Sequence, residues 1–222
     1  MEISNLSRFW RWHPEVAIRY LPIVERLKII GLGSVLEIGG GSLGIGPYLG
    51  WPMTIVDKHF VGPKLKIINY VTGIGEKLPF GDQSFDYVIC VDVLEHVPQI
   101  NRQKVVSEIT RVAKKLAVIA FPSGGAAAKQ DEELGKRYQR VYGREYDYFT
   151  EHKKFGLPDL QIKNAEIIGN ENLGLRRFLM MGWMTRNFVV DLLFRKILLI
   201  IIPFLIFFDR PPYYRKIYFI KP

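Results

Sequence analysis

At 222 residues the chain is long enough for one sizeable α/β core with an inserted element, and short for two comfortable domains. With 48% hydrophobic and 24% charged residues, disorder is excluded; a single cysteine, Cys90, excludes an internal disulfide framework or a cysteine-only zinc site and favours a reducing compartment. The formal net charge of +9 points to an anionic partner, and from Glu171 onward nine basic residues against three acidic ones supply +6 of it, interleaved with aliphatic and aromatic side chains. That mixture favours an anionic membrane face over a nucleic-acid groove.

The first residues, MEISNLSRFWRWHPEV, are polar and aromatic and lack the apolar stretch of a signal peptide. Residues 5–30 read as helix, capped at Asn5 or Ser7 and broken near Pro22, making residues 1–30 an N-terminal helical cap. Phe9, Trp10 and Trp12 are too close together to share one helix face. Short apolar runs then alternate with turn signals and helical stretches. SVLEIG, MTIVD, LKIINYV, FDYVICV and LAVIAF read as five strands, each nearly continuously apolar, as parallel strands covered on both faces should be. Cys90 sits within the fourth, as a buried strand residue. Between the last two, Val105, Val106, Ile109 and Val112 recur at helical spacing. Residues 126–160 form a charged, tyrosine-rich stretch predicted to lie as a lid over the carboxyl ends of the strands. AEIIG and YRKIYFIKP supply a sixth and a seventh strand, so the basic and hydrophobic segment 175–210 is predicted as an insertion between them.

VLEIGGGSLGIG places Gly39, Gly41 and Gly44 in GxGxxG spacing directly after the first strand, which allows a tight turn and close backbone approach to a ligand. Asp57 ends the second strand, where a carboxylate can accept both hydroxyls of a ribose. The pair fits a nucleoside-containing cofactor, and the lack of a following Gly-Lys-Ser/Thr excludes a Walker loop. Together with VDKHF and LPFGDQSFDYVICVDVLEHVP (78–98), the loop resembles the class I S-adenosylmethionine-dependent methyltransferases over roughly residues 30–123, with the strand near 214–221 also fitting. The resemblance implies one methyltransferase domain over 1–222. Its fold is a Rossmann-like α/β sheet of order 3-2-1-4-5-7-6, strand 7 antiparallel, with helices on both faces.

The resemblance further implies S-adenosylmethionine as cofactor. It places Gly39, Gly40 and Gly41 under the methionine and ribose, Glu37 behind the loop, Asp57 on the ribose, and Lys58 and His59 near the adenine. Gly75, Glu76 and Asp92 complete the expected cofactor set. TGIGEKLPF departs from the pattern, having Ile74 or Gly75 where relatives often carry a carboxylate for the adenine amino group. A hydroxyl acceptor would benefit from a base, and His96, after the fourth strand, is the best-placed titratable group; orienting the loop through a hydrogen bond is its alternative role. Asp92, Glu95 and His96 are similar to the metal-binding stretch of some quinone-biosynthesis O-methyltransferases. The Leu-Glu-His-Val stretch is widespread in metal-free relatives, and no metal is expected.

Tyr138, Tyr142, Tyr146 and Tyr148 are candidates for stacking on a sugar or aromatic acceptor, or for a plain helical lid. ILLIIIPFLIFF, residues 197–208, extends about 18 Å as helix against about 30 Å of hydrocarbon, so it does not span. An interfacial membrane element is the favoured reading, against a buried cap or dimer contact and, least favoured, a re-entrant span. The expected activity is methyl transfer to a small acceptor, lipid-linked or membrane-proximal, such as a glycan or isoprenoid hydroxyl. The protein is expected in the cytoplasm, peripheral on the inner face of the membrane. An inactive cofactor-fold binding protein and an RNA methyltransferase are the alternatives, and nucleic acid is the less favoured partner.

Overall fold

The computed structural model describes residues 14–222, with the backbone alone at 14, 15, 195 and 199–206. Helix α1 (Pro14–Ile30) leads into β1 (Val35–Ile38), short α2 (Gly46–Leu49), β2 (Met53–Asp57), β3 (Ile68–Thr72) and β4 (Phe85–Val91). A 3-10 turn (Leu94–His96), α3 (Gln99–Val112) and β5 (Ala113–Pro122) follow, then α4 (Gly125–Tyr142) and α5 (Asp147–Phe155). β6 (Ala165–Asn172), α6 (Leu173–Trp183), α7 (Phe188–Leu205), a 3-10 turn (Ile206–Phe208) and β7 (Tyr213–Ile220) complete the chain.

The seven strands form one sheet of order β3-β2-β1-β4-β5-β7-β6. The pairs from β3 to β5 are parallel, and β7 runs antiparallel to both neighbours. Strand alternation divides the core cleanly. Tyr87, Ile89 and Val91 of β4 face one cluster with Val118, Ile217 and Phe219, under Tyr20, Ile23 and Leu27 of α1. Val88 and Cys90 face the other with Ile119, Phe121 and Tyr218, under Val105 and Ile109 of α3. Both faces being covered explains why these strands read as unbroken apolar runs.

The expected break at Pro22 does not occur: α1 runs through it to Ile30. Pro22 removes one backbone donor, but Ile18, Leu21, Ile23, Val24 and Leu27 are all buried around it, and that packing holds the helix. The caps at Asn5 and Ser7, together with Phe9, Trp10 and Trp12, lie outside the described residues.

Helices α6 and α7 lie between β6 and β7. At 18 residues, about 27 Å, α7 begins upstream of the apolar run and takes in Asp191, Arg195 and Lys196. Leu198 and Phe194 pack it against Ile18, Leu175 and Leu179. Phe188, Val189, Leu193 and Ile197 remain exposed, as do Phe207 and Phe208 beyond. Among the described residues no helix is long and apolar enough to cross a membrane.

Candidate active site

The carboxyl ends of β1, β2 and β4 converge on one cavity. After β1 the chain turns at Gly39, whose φ of +73° disfavours any side chain, and where a Cβ would collide with Val93. Glu37 folds back beneath the loop. It accepts hydrogen bonds from the Tyr20 hydroxyl and the Ile45 amide, each at 2.8 Å, and its carboxylate fills the space a side chain at Gly44 would need. Burial pushes the Glu37 carboxyl up to about 7, against the opposing pull of those two hydrogen bonds and of Arg19. At the end of β2, Asp57 accepts the Gly41 amide at 2.8 Å and the His59 amide at 3.2 Å, so it is oriented by backbone on both oxygens.

Asp92 follows β4 with a φ of +52°. Arg215, fully buried on β7, donates from Nε and Nη2 to its two oxygens, both at 2.6 Å, and Arg19 of α1 approaches Oδ2 at 3.1 Å. Nη1 of Arg215 donates to Asn170 and to buried Glu171 at 3.1 and 2.9 Å. Burial pushes the Asp92 carboxyl up, but the guanidinium groups of Arg19 and Arg215 outweigh it and hold it at about 2.

The third wall comes from the 3-10 turn and α5. His96 Nδ1 lies 2.6 Å from Glu151 Oε2, and His152 Nδ1 lies 2.7 Å from Asp131 Oδ2. Asp131 is fixed in turn by the Tyr214 hydroxyl and by Arg176 at 2.8 Å. The two imidazole rings are 5.0 Å apart, centre to centre. Burial, then neighbouring His152, lowers the His96 pKa, while Glu151 opposes the shift. Glu95 is buried beside them; desolvation and then the Asp92 charge push its carboxyl well above the usual range.

The cavity measures about 770 Å³, and Gly39, Gly40, Gly41, Asp57, Asp92 and His96 share its wall. Glu37 stands behind the loop rather than on the wall. His59 is at the wall, but Lys58 is exposed outside it, Glu76 is half-buried elsewhere, and Gly75 packs toward Val105 and Ile38 of the core. Of the four tyrosines, Tyr146 and Tyr148 reach the wall, with Phe149, Met180 and Trp183. Tyr138 is buried in a cluster with Leu134 and Met180 against which Tyr142 packs. Sequence reasoning missed Arg19, Tyr20, His152, Arg176, Tyr214 and Arg215 at this wall. Their only signals were weak: an arginine inside an apolar strand, and a histidine in a lid helix.

The sheet order, the antiparallel β7 and the glycine loop at a strand end are those of a class I methyltransferase fold. Residues 52–121 match a family described as a methyltransferase domain. Nothing among curated proteins matches the chain. Among solved structures it is similar to a protein of Pyrococcus horikoshii, at 14% identity over 94% of this chain and 90% of that one, with a TM-score of 0.48. A SAM-dependent methyltransferase of Thermotoga maritima aligns at 18% identity over 74% and 81%, TM-score 0.43. The 1,6-didemethyltoxoflavin-N1-methyltransferase of Burkholderia thailandensis, solved with S-adenosylhomocysteine, aligns at 20% over 53% and 54%, TM-score 0.39.

Proposed function

We propose that S-adenosylmethionine lies against the glycine loop, and that the acceptor is a small hydroxyl compound, lipid-linked or presented at a membrane surface. The single observation that carries the cofactor assignment is the wall shared by Gly39, Gly40, Gly41 and Asp57 in a cavity of about 770 Å³, a volume in the range of about 300–1,000 Å³ usual for such ligands. Backbone at the loop comes close to the ligand, Asp57 accepts the ribose hydroxyls, and Glu37 holds the loop from behind. Asp92, kept ionised by two arginines, faces the cationic end of the cofactor. Lys58, Gly75 and Glu76 are left out of this assignment because they stand off the wall.

When bound, the cofactor supplies a methyl group already activated by its sulfonium, so the protein's task is alignment and exclusion of water. Glu151 holds the Nδ1 proton of His96, leaving the other ring nitrogen with a lone pair. That nitrogen would take the acceptor's hydroxyl proton during methyl transfer. Tyr146, Tyr148, Phe149 and Trp183 give the acceptor an aromatic wall.

The lipid-linked acceptor rests on α6 standing between the cavity, on one of its faces, and an apolar surface on the other. Met180 and Trp183 of α6 line the cavity, while Phe178 of the same helix and Phe194 of α7 meet at 5.6 Å between ring centres. From there the exposed side chains of α7 continue as an apolar face. The test is incubation with methyl-labelled cofactor and a membrane extract: label is expected in the solvent-extractable lipid fraction, and label confined to soluble protein or RNA sinks the acceptor assignment. Asp57→Ala is expected to weaken S-adenosylhomocysteine binding by calorimetry at least tenfold; unchanged affinity refutes the assigned role of Asp57.

A further inference from the structure

We propose that Glu95, His96 and His152 bind one divalent transition-metal ion at the acceptor end of the cavity. One ligand atom from each lies within 4.8 Å of the others, and all three residues line the cavity. Glu95 is 1% exposed, yet its Oε2 has no hydrogen-bond partner among the described residues. A buried carboxyl oxygen without a partner, on a residue that lines the cavity, is an available ligand for a cation that displaces its proton.

Both histidines have the surroundings of metal ligands. Each is anchored through Nδ1 to a carboxylate, His96 to Glu151 and His152 to Asp131, and among the described residues no hydrogen bond occupies the second nitrogen of either. Carboxylates behind the imidazoles fix ring orientation and raise ligand basicity in metal sites. Asp92, by contrast, is disqualified: Arg215 takes both its oxygens and Arg19 adds to one. The set therefore does not follow the Asp92-x-x-Glu95-His96 pattern of the sequence, since its third member is supplied by α5. Two imidazoles and one carboxylate select a zinc- or cobalt-like ion over magnesium or calcium. Tetrahedral ligands at about 2.1 Å from the ion are roughly 3.4 Å apart, inside the 4.8 Å that bounds the separations of this trio.

The consequence for chemistry rests on the methyl-transfer reading above. An ion here lowers the pKa of an acceptor hydroxyl beside it. With the ion bound the proton would pass to water and His96 would be a ligand, its role as base being confined to the metal-free protein.

Binding is tested without turnover. The full chain, stripped with a chelator, is titrated with Co²⁺ and followed by visible absorption and calorimetry. One Co²⁺ per chain with ligand-field bands is expected, with affinity lowered at least tenfold by His152→Ala and by Glu95→Gln, and unchanged by Asp57→Ala. Circular dichroism verifies that each variant is folded, and a Co²⁺-dependent rise in the wild-type Tm gives a readout independent of the variants. Absence of bands, heat and Tm shift at millimolar Co²⁺ overturns the site, as does binding undiminished in both folded variants. Either result leaves S-adenosylhomocysteine binding intact, whereas failure of the methyltransferase reading is lost cofactor binding with Co²⁺ uptake unaffected.

Discussion

Glu37 illustrates how one side chain can organise a loop and carry a pH signature. Its folded carboxyl titrates at about 7 instead of its ordinary 4.5, so the folded state keeps a proton that the unfolded chain has released. Its contribution to stability is thus full below about 4.5 and is lost as pH rises through about 7, amounting to on the order of 3 kcal/mol. Glu37→Gln conserves shape, with the amide carbonyl accepting from Ile45 and the NH₂ donating to Tyr20. It is expected to flatten that part of the profile in urea unfolding between about pH 5 and about pH 8. Equal losses in wild type and variant contradict this. At this scale the glycine loop and Asp57 were legible because spacing along the chain marks a turn at a strand end. The meeting of His96 and His152 was not, because 3-10 turn and α5 approach each other only through folding.

Among the elements, β7 shows where strand patterning and structure part company. Tyr218 and Ile220 face one core, while Ile217 and Phe219 face the other, so the strand is recognisable by its apolar composition. Nothing local announces that Arg215, in the same strand, is 1% exposed between two carboxylates. Arg215→Met is expected to destabilise by about 3–5 kcal/mol, because Glu171 and Asp92 lose their shared cation while buried, although Arg19 stays beside Asp92. Chemical denaturation measures it, and a loss under about 1 kcal/mol shows that the carboxylates take up protons or water at little cost. Helix α1 makes the complementary point. Its proline predicted a break from backbone chemistry alone, and burial of its flanking residues against the sheet decided otherwise.

For the molecule as a whole, the question is what the outer face of α7 touches. Exposed Phe188, Leu193, Ile197, Phe207 and Phe208 accompany a segment carrying most of the net positive charge. A membrane role for this face would appear as partitioning to anionic vesicles, with a salt-sensitive component from Arg and Lys and a salt-insensitive one from buried apolar area. Leu193→Glu combined with Ile197→Glu is expected to lower vesicle affinity at least tenfold in co-sedimentation while leaving the Tm within a few degrees. Unaltered binding, or none in the wild type, removes the membrane role.

The sequence by itself determined the strands, the glycine loop and the acidic strand end, since these are written in local periodicity and spacing, and through resemblance it indicated the sheet order and cofactor. Only the tertiary structure decided which polar groups meet: Asp92 with Arg215, 123 residues away, and His96 with Glu151, 55 away. A buried ion pair or paired imidazole is a relation between distant segments. Its partners have no periodicity in common, and burial creates the need for pairing only once the chain has folded.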